Sequence, residues 1–177
     1  TKAEDKKYYE LWTKFRDNTR KATPIDLNES VVDKQNRIDK LEKNPEQWFK
    51  YYFPNFYTSE PAPFHIAATK RILANPEWYE VRSWSRELSK TGRTMMEVLY
   101  LVMTGKKKNI LMVSSTYDNA ERLLLPDKAI LEDNNRIIND YGEQQSLGNW
   151  EAGEFITKKG ISFRALGARQ SPRGTRK

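Results

Sequence analysis

Apolar residues recur at helical spacing along the first sixty positions of the chain. A run with the spacing i, i+3, i+4, i+7 predicts an amphipathic helix with a single apolar stripe. The stripe consists of Tyr8, Leu11, Trp12 and Phe15. After a break at Thr23-Pro24, residues 30–42 predict a second helix with an apolar side of its own. Residues 1–60 therefore predict a polar, helical segment.

The tripeptide Asn44-Pro45-Glu46 predicts the start of a short third helix. Asparagine is a favoured N-cap, proline suits the first helical position, and an acid in the first turn complements the helix dipole. The helix is rich in aromatic residues at helical spacing, which favours packing over a platform for stacking bases. They are Trp48, Phe49, Tyr51, Tyr52 and Phe53. The proline-rich residues 58–63 then predict a boundary, with a helical segment over 1–60 and a second domain over 61–177.

Beyond this boundary the pattern alternates between helical and strand periods. Helices are expected over 64–73, 90–103 and 117–131, and strands over 78–85 and 109–114, the latter a buried strand. A loop is expected over 141–152, followed by a hairpin that turns at Lys158-Lys159-Gly160. Strands that alternate with helices predict an α/β fold with a parallel sheet flanked by helices.

Composition and charge exclude several classes of protein. The chain has 177 residues, a formal net charge of +7, no Cys and one His. A disulfide scaffold, a thiolate metal site and a multi-His metal site are therefore excluded. No run approaches the ~18 consecutive apolar residues of a membrane helix, so we expect no membrane partner. Residues 151–177 hold seven basic and two acidic side chains, which predicts either a surface for a polyanion or a solvated tail.

The segment with the most specific chemistry is Trp84-Ser85-Arg86-Glu87-Leu88-Ser89-Lys90-Thr91, between a predicted strand and a predicted helix. A phosphate-binding loop occupies this position in nucleotide-hydrolysing α/β folds, with the signature G-x-x-x-x-G-K-[ST]. Lys90 and Thr91 match the signature, whereas Trp84 and Ser89 stand in place of its two glycines. Lys90 would bridge the β- and γ-phosphates and the Thr91 hydroxyl would bind Mg²⁺. The alternative is an ordinary helix N-terminus with an exposed lysine.

The loop sequence resembles the deviant phosphate loop of the large terminase subunits of tailed bacteriophages. In those loops Ser-Arg-x-x-(Gly/Ser)-Lys-[Ser/Thr] replaces the glycine-rich form. Three further segments resemble that family in the same order. Pro63-Phe64-His65 resembles its adenine-reading segment, where the family commonly has glutamine, and residues 110–121 resemble its second core strand and the capped helix after it. Residues 163–174 resemble its glycine and Arg-Gly loop, so the likeness covers about residues 62–177.

This resemblance implies a P-loop NTPase-type fold and an ATP-driven motor, with ATP and Mg²⁺ as its cofactors. Such a motor packs double-stranded DNA into a procapsid in the host cytoplasm. It also implies three partners: the small terminase subunit, the capsid portal, and copies of the same chain assembled on that portal. We expect this chain alone to be monomeric. The family has an acidic strand shortly after the Arg-Gly loop and a C-terminal nuclease; we expect the chain to end before both, and to hydrolyse little ATP alone.

The resemblance also assigns roles to individual residues of the loop. Lys90 and Arg86 would be catalytic, with Arg86 either neutralising the γ-phosphate or sensing the nucleotide state; the alternative is a surface arginine. The loop backbone at Ser85, Ser89 and Gly92 would surround the phosphates.

Two residues before the loop are candidates for contact with the base. Phe64 would pack near the adenine, and the alternative is a buried helix aromatic. His65 would make a polar contact to the adenine, and the alternative is an ordinary half-buried histidine.

Three arginines near the end of the chain are candidates for DNA or a neighbouring subunit. Arg169, Arg173 and Arg176 would contact DNA phosphates or that subunit's nucleotide, and the alternative is an exposed flexible end. Two other functions stay open. One is a helicase-like ATPase that acts on nucleic acid, and the other is a non-catalytic basic module that binds nucleic acid.

Overall fold

The structure is a computed structural model that describes residues 2–170. This part of the chain has a mixed α/β fold, with seven helices and one four-stranded sheet. The helices are α1 (Lys2–Ala22), α2 (Val31–Glu42), α3 (Pro45–Tyr52), α4 (Pro63–Ala74), α5 (Lys90–Met103), α6 (Tyr117–Asp133) and α7 (Asn135–Tyr141). The strands are β1 (Asn109–Ser114), β2 (Gln145–Trp150), β3 (Glu154–Thr157) and β4 (Ser162–Gly167).

Local capping residues set the starts of several helices. The Asn44 side chain accepts a hydrogen bond from the backbone N–H of Gln47 at 3.2 Å, and Pro45 occupies the first turn of α3. Thr116 caps α6 in the same way, accepting from the N–H of Asn119 at 3.3 Å. These bonds satisfy amide groups that a helix start leaves without intrahelical acceptors. The predicted starts of α3 and α6 are confirmed.

The sheet has the order β1-β4-β3-β2 and is mixed rather than parallel. Only β1 and β4 run parallel, with Ile110 opposite Phe163 and Met112 opposite Ala165, whereas β4–β3 and β3–β2 are antiparallel. The expected hairpin between β3 and β4 is confirmed, with its turn at Gly160 (φ +74°). The predicted α/β fold is thus confirmed, but the prediction of a parallel sheet holds only for the β1–β4 pair, because the hairpins reverse the chain direction in the rest of the sheet.

Two other strand predictions need correction. Residues 141–152 were expected to form a loop, but they contain β2, which pairs with β3 although its Leu147 is 98% exposed. Residues 78–85 form no strand: Tyr79 is 86% exposed and Val81 74% exposed. Apolar alternation gives a strand only where a neighbouring strand supplies hydrogen-bond partners, and residues 78–85 have none among the described residues.

The hydrophobic core joins α3, α5, α6, α7 and the sheet. Trp48, Phe49 and Tyr52 of α3 are fully buried, and the Trp48 ring lies 5.2 Å from the ring of Tyr100 on α5. The packing role of these aromatic residues is confirmed. The boundary predicted at residues 58–63 therefore runs between elements that share one core.

The predicted stripe of α1 is only partly buried. Leu11 is 59% exposed, while Phe15 packs against the core; the side chain of Tyr8 lies outside the described part. No helix among the described residues is long and apolar enough to cross a membrane.

Candidate phosphate-binding site

In the loop before α5, residues 85–89, two residues adopt the left-handed backbone conformation. Glu87 has φ +69°, and Ser89 has φ +51° and ψ +27°. A side chain with a Cβ atom disfavours this conformation by roughly 1–2 kcal/mol, which is why glycine is usual there. Ser89 stands at the second glycine of the phosphate-loop signature. The backbone therefore makes the tight turn that a phosphate loop needs, although serine replaces the glycine.

The backbone amides of this loop are free to bind an external acceptor. Within residues 2–170, no amide from Arg86 to Gly92 donates a hydrogen bond to another group of the chain. The Ser89 side chain, although it occupies the N-cap position of α5, makes no capping bond. Free amides at a helix start, together with the positive end of the helix dipole, form a favourable site for phosphate oxygens.

The side chain of Lys90 folds back across the loop. Its Nζ donates a hydrogen bond to the carbonyl oxygen of Trp84 at 2.9 Å. Lys90 and Thr91 occupy the first turn of α5, as predicted, and both are exposed. Ser85 and Arg86 are also exposed. An ammonium group held by a single carbonyl in an exposed loop can exchange that partner for a phosphate at little cost.

The ring of His65 attaches the loop to the start of α4. Its Nδ1 accepts a hydrogen bond from the backbone N–H of Ala62 at 3.1 Å, so Nε2 carries the proton and donates to the Leu88 carbonyl at 3.0 Å. Both ring nitrogens are thus in use. A polar contact from this ring to adenine would require the loss of one of these two bonds.

Phe64, His65 and Trp84 form an aromatic cluster beside the loop. The Phe64 ring lies 4.2 Å from the ring of His65 and 5.1 Å from that of Trp84. The Phe64 side chain is 40% exposed, so it offers an accessible ring next to the loop. In the sequence, Trp84 stands in place of the first glycine of the phosphate-loop signature. Its contact with Phe64 and His65 depends on the fold.

A buried polar network lies below the first turns of α5. Arg93 and Glu97 are 3% and 2% exposed. Arg93 binds the carboxylate of Glu46 on α3, with Nη1 3.0 Å from Oε2, and its Nη2 donates to the Thr69 hydroxyl on α4 at 2.7 Å. The Thr69 hydroxyl in turn donates to Glu97 Oε1 at 2.5 Å. This network was not predicted, and its only local signal in the sequence is an Arg and a Glu four residues apart in the first half of α5.

A cavity of about 550 Å³ lies between α1, α5, β1 and α6. Apolar side chains line most of it, including Phe15, Met95, Met112 and Leu123, and the first turn of α5 closes one part. Asp127 of α6 also lines this cavity; it is 2% exposed, and burial raises the pKa of its carboxyl to about 8. Its Oδ1 atom accepts no hydrogen bond from the described residues.

The three candidate arginines near the end of the chain are only partly described. Arg169 is exposed in the turn after β4, at the carboxyl end of the parallel β1–β4 pair. Ligands of α/β sheets commonly bind at this edge. Arg173 and Arg176 lie outside the described residues.

The residues present fit Mg²⁺ only together with a nucleotide. In the described part of the chain, no three acidic or histidine side chains are grouped so that they could hold a metal ion. The hydroxyl of Thr91 would therefore supply one ligand, and phosphate oxygens and water the others.

Comparison of the chain with family models, curated proteins and solved structures finds no match.

Proposed function

We propose that this chain is the ATP-binding region of a viral DNA-packaging motor of the large terminase type. The observation that supports this proposal best is the loop from Ser85 to Thr91. Its amides are free, its turn is left-handed at Ser89, and its lysine lies across the loop on the Trp84 carbonyl. The ordered motifs of the sequence add the connection to packaging motors, as against other P-loop proteins.

In this proposal the loop binds the triphosphate and the flanking side chains complete the site. Lys90 exchanges the Trp84 carbonyl for the β- and γ-phosphates, and Thr91 binds the Mg²⁺ that these phosphates share. Arg86 neutralises charge on the γ-phosphate, while the exposed ring of Phe64 packs on the adenine. The carboxylate that activates water would belong to the acidic strand of the parent protein, so this chain alone should bind ATP but hydrolyse little of it.

The wider role follows from charge and from the same resemblance. The net charge of +7 and the basic residues near the end of the chain suit a protein that holds DNA by its phosphates and reads no sequence. In the assembled motor, Arg169, Arg173 and Arg176 would face double-stranded DNA or a neighbouring copy. The parent protein would work in the host cytoplasm with the small terminase subunit and the portal, and would also contain a nuclease.

Calorimetric titration of the chain with MgADP and a non-hydrolysable MgATP analogue tests the proposal. We expect Lys90→Ala to weaken binding at least tenfold, about 1.4 kcal/mol, because it removes the cation between the phosphates. Lys70→Ala, which changes an exposed lysine on α4, is the matched control and should bind as the native chain does. Absence of nucleotide binding, with salt-dependent DNA binding retained, would contradict the ATPase and favour a non-catalytic basic module.

A further inference from the structure

The buried network below α5 extends to the segment that precedes the phosphate loop. Arg82 Nη1 lies 2.8 Å from Glu97 Oε2, the oxygen of Glu97 that Thr69 does not use. The same Nη1 also donates to the Thr94 hydroxyl at 3.2 Å. Glu97 therefore connects two parts of the molecule. Through Arg82 it contacts the segment that precedes the loop, and through Thr69 and Arg93 it contacts the buried network between α3, α4 and α5.

Arg82 also contacts the first residue of the loop. Its guanidinium carbon lies 5.0 Å from the centre of the Trp84 ring, within the range of a cation–π contact. The carbonyl oxygen of Trp84 accepts the hydrogen bond from Lys90 Nζ. A continuous set of contacts thus leads from Glu97 through Arg82 and Trp84 to the lysine of the phosphate loop.

Two observations indicate that stability alone does not explain this arrangement. The Nη2 group of Arg82 is buried and has no acceptor among the described residues, and an unpaired buried donor reduces stability. Glu97 also retains partners without Arg82, since the Thr69 hydroxyl and Arg93 remain beside it. Replacing Arg82 should therefore leave the helices packed and act mainly on the loop.

We propose that Arg82 is a positioning residue that holds Trp84, and with it the phosphate loop, in the arrangement that accepts a nucleotide. Its contribution to nucleotide binding rests on the proposed function. Its effect on the order of the loop does not, because the contacts with Glu97 and Trp84 exist without a ligand. No strand pairing stabilises residues 78–85 within the described part of the chain, so side-chain anchors such as Arg82 must fix the entry to the loop.

NMR relaxation of the backbone amides of residues 85–89 tests this without a nucleotide. In the native chain we expect order parameters near those of rigid backbone, about 0.85, and in Arg82→Met a fall to below about 0.6. The amides of α5 and α6 should not change. Arg71→Met is the matched control, because Arg71 pairs with Glu80 in the same region without touching the loop. Unchanged loop order in Arg82→Met, or equal loosening in both variants, would overturn the proposal.

Nucleotide affinity provides the second measurement. If the native chain binds MgADP, Arg82→Met should bind it at least tenfold more weakly, and Arg71→Met should bind it normally; equal affinity in Arg82→Met would overturn the role in binding. If the native chain binds no MgADP, the proposed function fails, while the relaxation data still decide whether Arg82 orders the loop. Arg82→Lys keeps the charge but loses the planar stacking group. It should loosen the loop partially, and it replaces Arg82→Met if the latter does not fold.

Discussion

Two segments predicted to be strands flank α5, and only one of them becomes a strand. Residues 109–114 form β1, which pairs in parallel with β4 along its whole length. Residues 78–85 stay irregular and exposed, with Trp78 45% and Tyr79 86% accessible. The difference lies in the surroundings: β1 has a partner strand on one edge and α6 on one face. Residues 78–85 have no partner strand among the described residues and contact α4 and α5 through the side chains of Trp84 and Arg82.

The segment that leads into the candidate phosphate loop is held in a different way from β1. Hydrogen bonds between strands fix β1 at every second residue. Residues 78–85 are fixed instead at separate points by side chains, among them the ion pairs Arg71–Glu80 and Arg82–Glu97. Single mutations around the sheet should therefore lower the free energy of unfolding, whereas mutations in residues 78–85 should mainly increase the local mobility of the loop.

Phe163→Ala should have the largest effect, because it leaves a cavity in the hydrophobic core beside β4. Phe163 lies on β4, is fully buried, and its ring stacks on Phe155 at 4.7 Å. We expect the free energy of unfolding to fall by about 3–5 kcal/mol in urea denaturation followed by circular dichroism. Tyr79→Ala, the matched aromatic of the irregular segment, should change it by less than about 0.5 kcal/mol. Similar losses in the two variants would remove the contrast.

Gly167→Ala tests the end of the paired region. A Cβ atom at Gly167 would lie 2.9 Å from the backbone nitrogen of Tyr117, the first residue of α6. The strand and the helix would have to separate, so we expect a loss of roughly 1–3 kcal/mol and a lower melting temperature. Ala168→Ser, at the exposed next position, should melt like the native chain. A native melting temperature for Gly167→Ala would show that the contact is looser than described.

Asp127→Asn tests whether the helix that covers β1 contains a neutral carboxyl. Burial raises the pKa of Asp127 from 3.8 to about 8. Between these values the folded chain binds more protons than the unfolded chain, so stability should fall as pH rises, by at most about 1.4 kcal/mol per pH unit.

Denaturation at several pH values between 4 and 8 should give a flatter profile for Asp127→Asn than for the native chain. Asp118→Asn, an exposed position on the same helix, should keep the native slope. Parallel profiles for the native chain and Asp127→Asn would mean that Asp127 is ionised in the folded state.

The smallest effect concerns the anchor between Arg71 and Glu80. Hydrogen bonds from Arg71, and secondly from Trp78, lower the pKa of Glu80 to about 2. The stability from this contact is present above about pH 4.5 and is lost as the pH falls toward 2, and it is small because the pair is exposed to solvent. Carboxyl titration by carbon NMR should show the Glu80 midpoint rising toward 4.5 in Arg71→Met, while the hydrogen bond from Trp78 keeps it below that value. A midpoint that does not move would exclude Arg71 as the main cause.

Much of the helical structure was predictable because its signals are local. The bounds of α5 at Lys90 and Met103 and of β1 at Asn109 and Ser114 match the predictions. Caps, prolines and periodic apolar positions act within a few residues. By contrast β2 was missed, because its residues do not alternate between buried and exposed and it forms only by pairing with β3.

The candidate site divides in the same way. The positions of Lys90 and Thr91 at the first turn of α5 followed from the predicted start of that helix, although the strand predicted before the motif does not form. The attachment of His65 to Leu88, 23 residues away, did not follow from any motif. Nor did the contact of Arg82 with Glu97, because both bonds depend on how α4 and α5 pack rather than on sequence spacing.

Sequence patterns alone were enough to predict where most helices begin and end and which aromatic residues pack in the core. Each of these depends on neighbours within a few positions, so local patterns are sufficient. Only the tertiary structure shows which of the two predicted strands forms, and which charged side chains are buried and paired. Strand pairing and buried ion pairs need partners distant in the chain, and only folding brings such partners together.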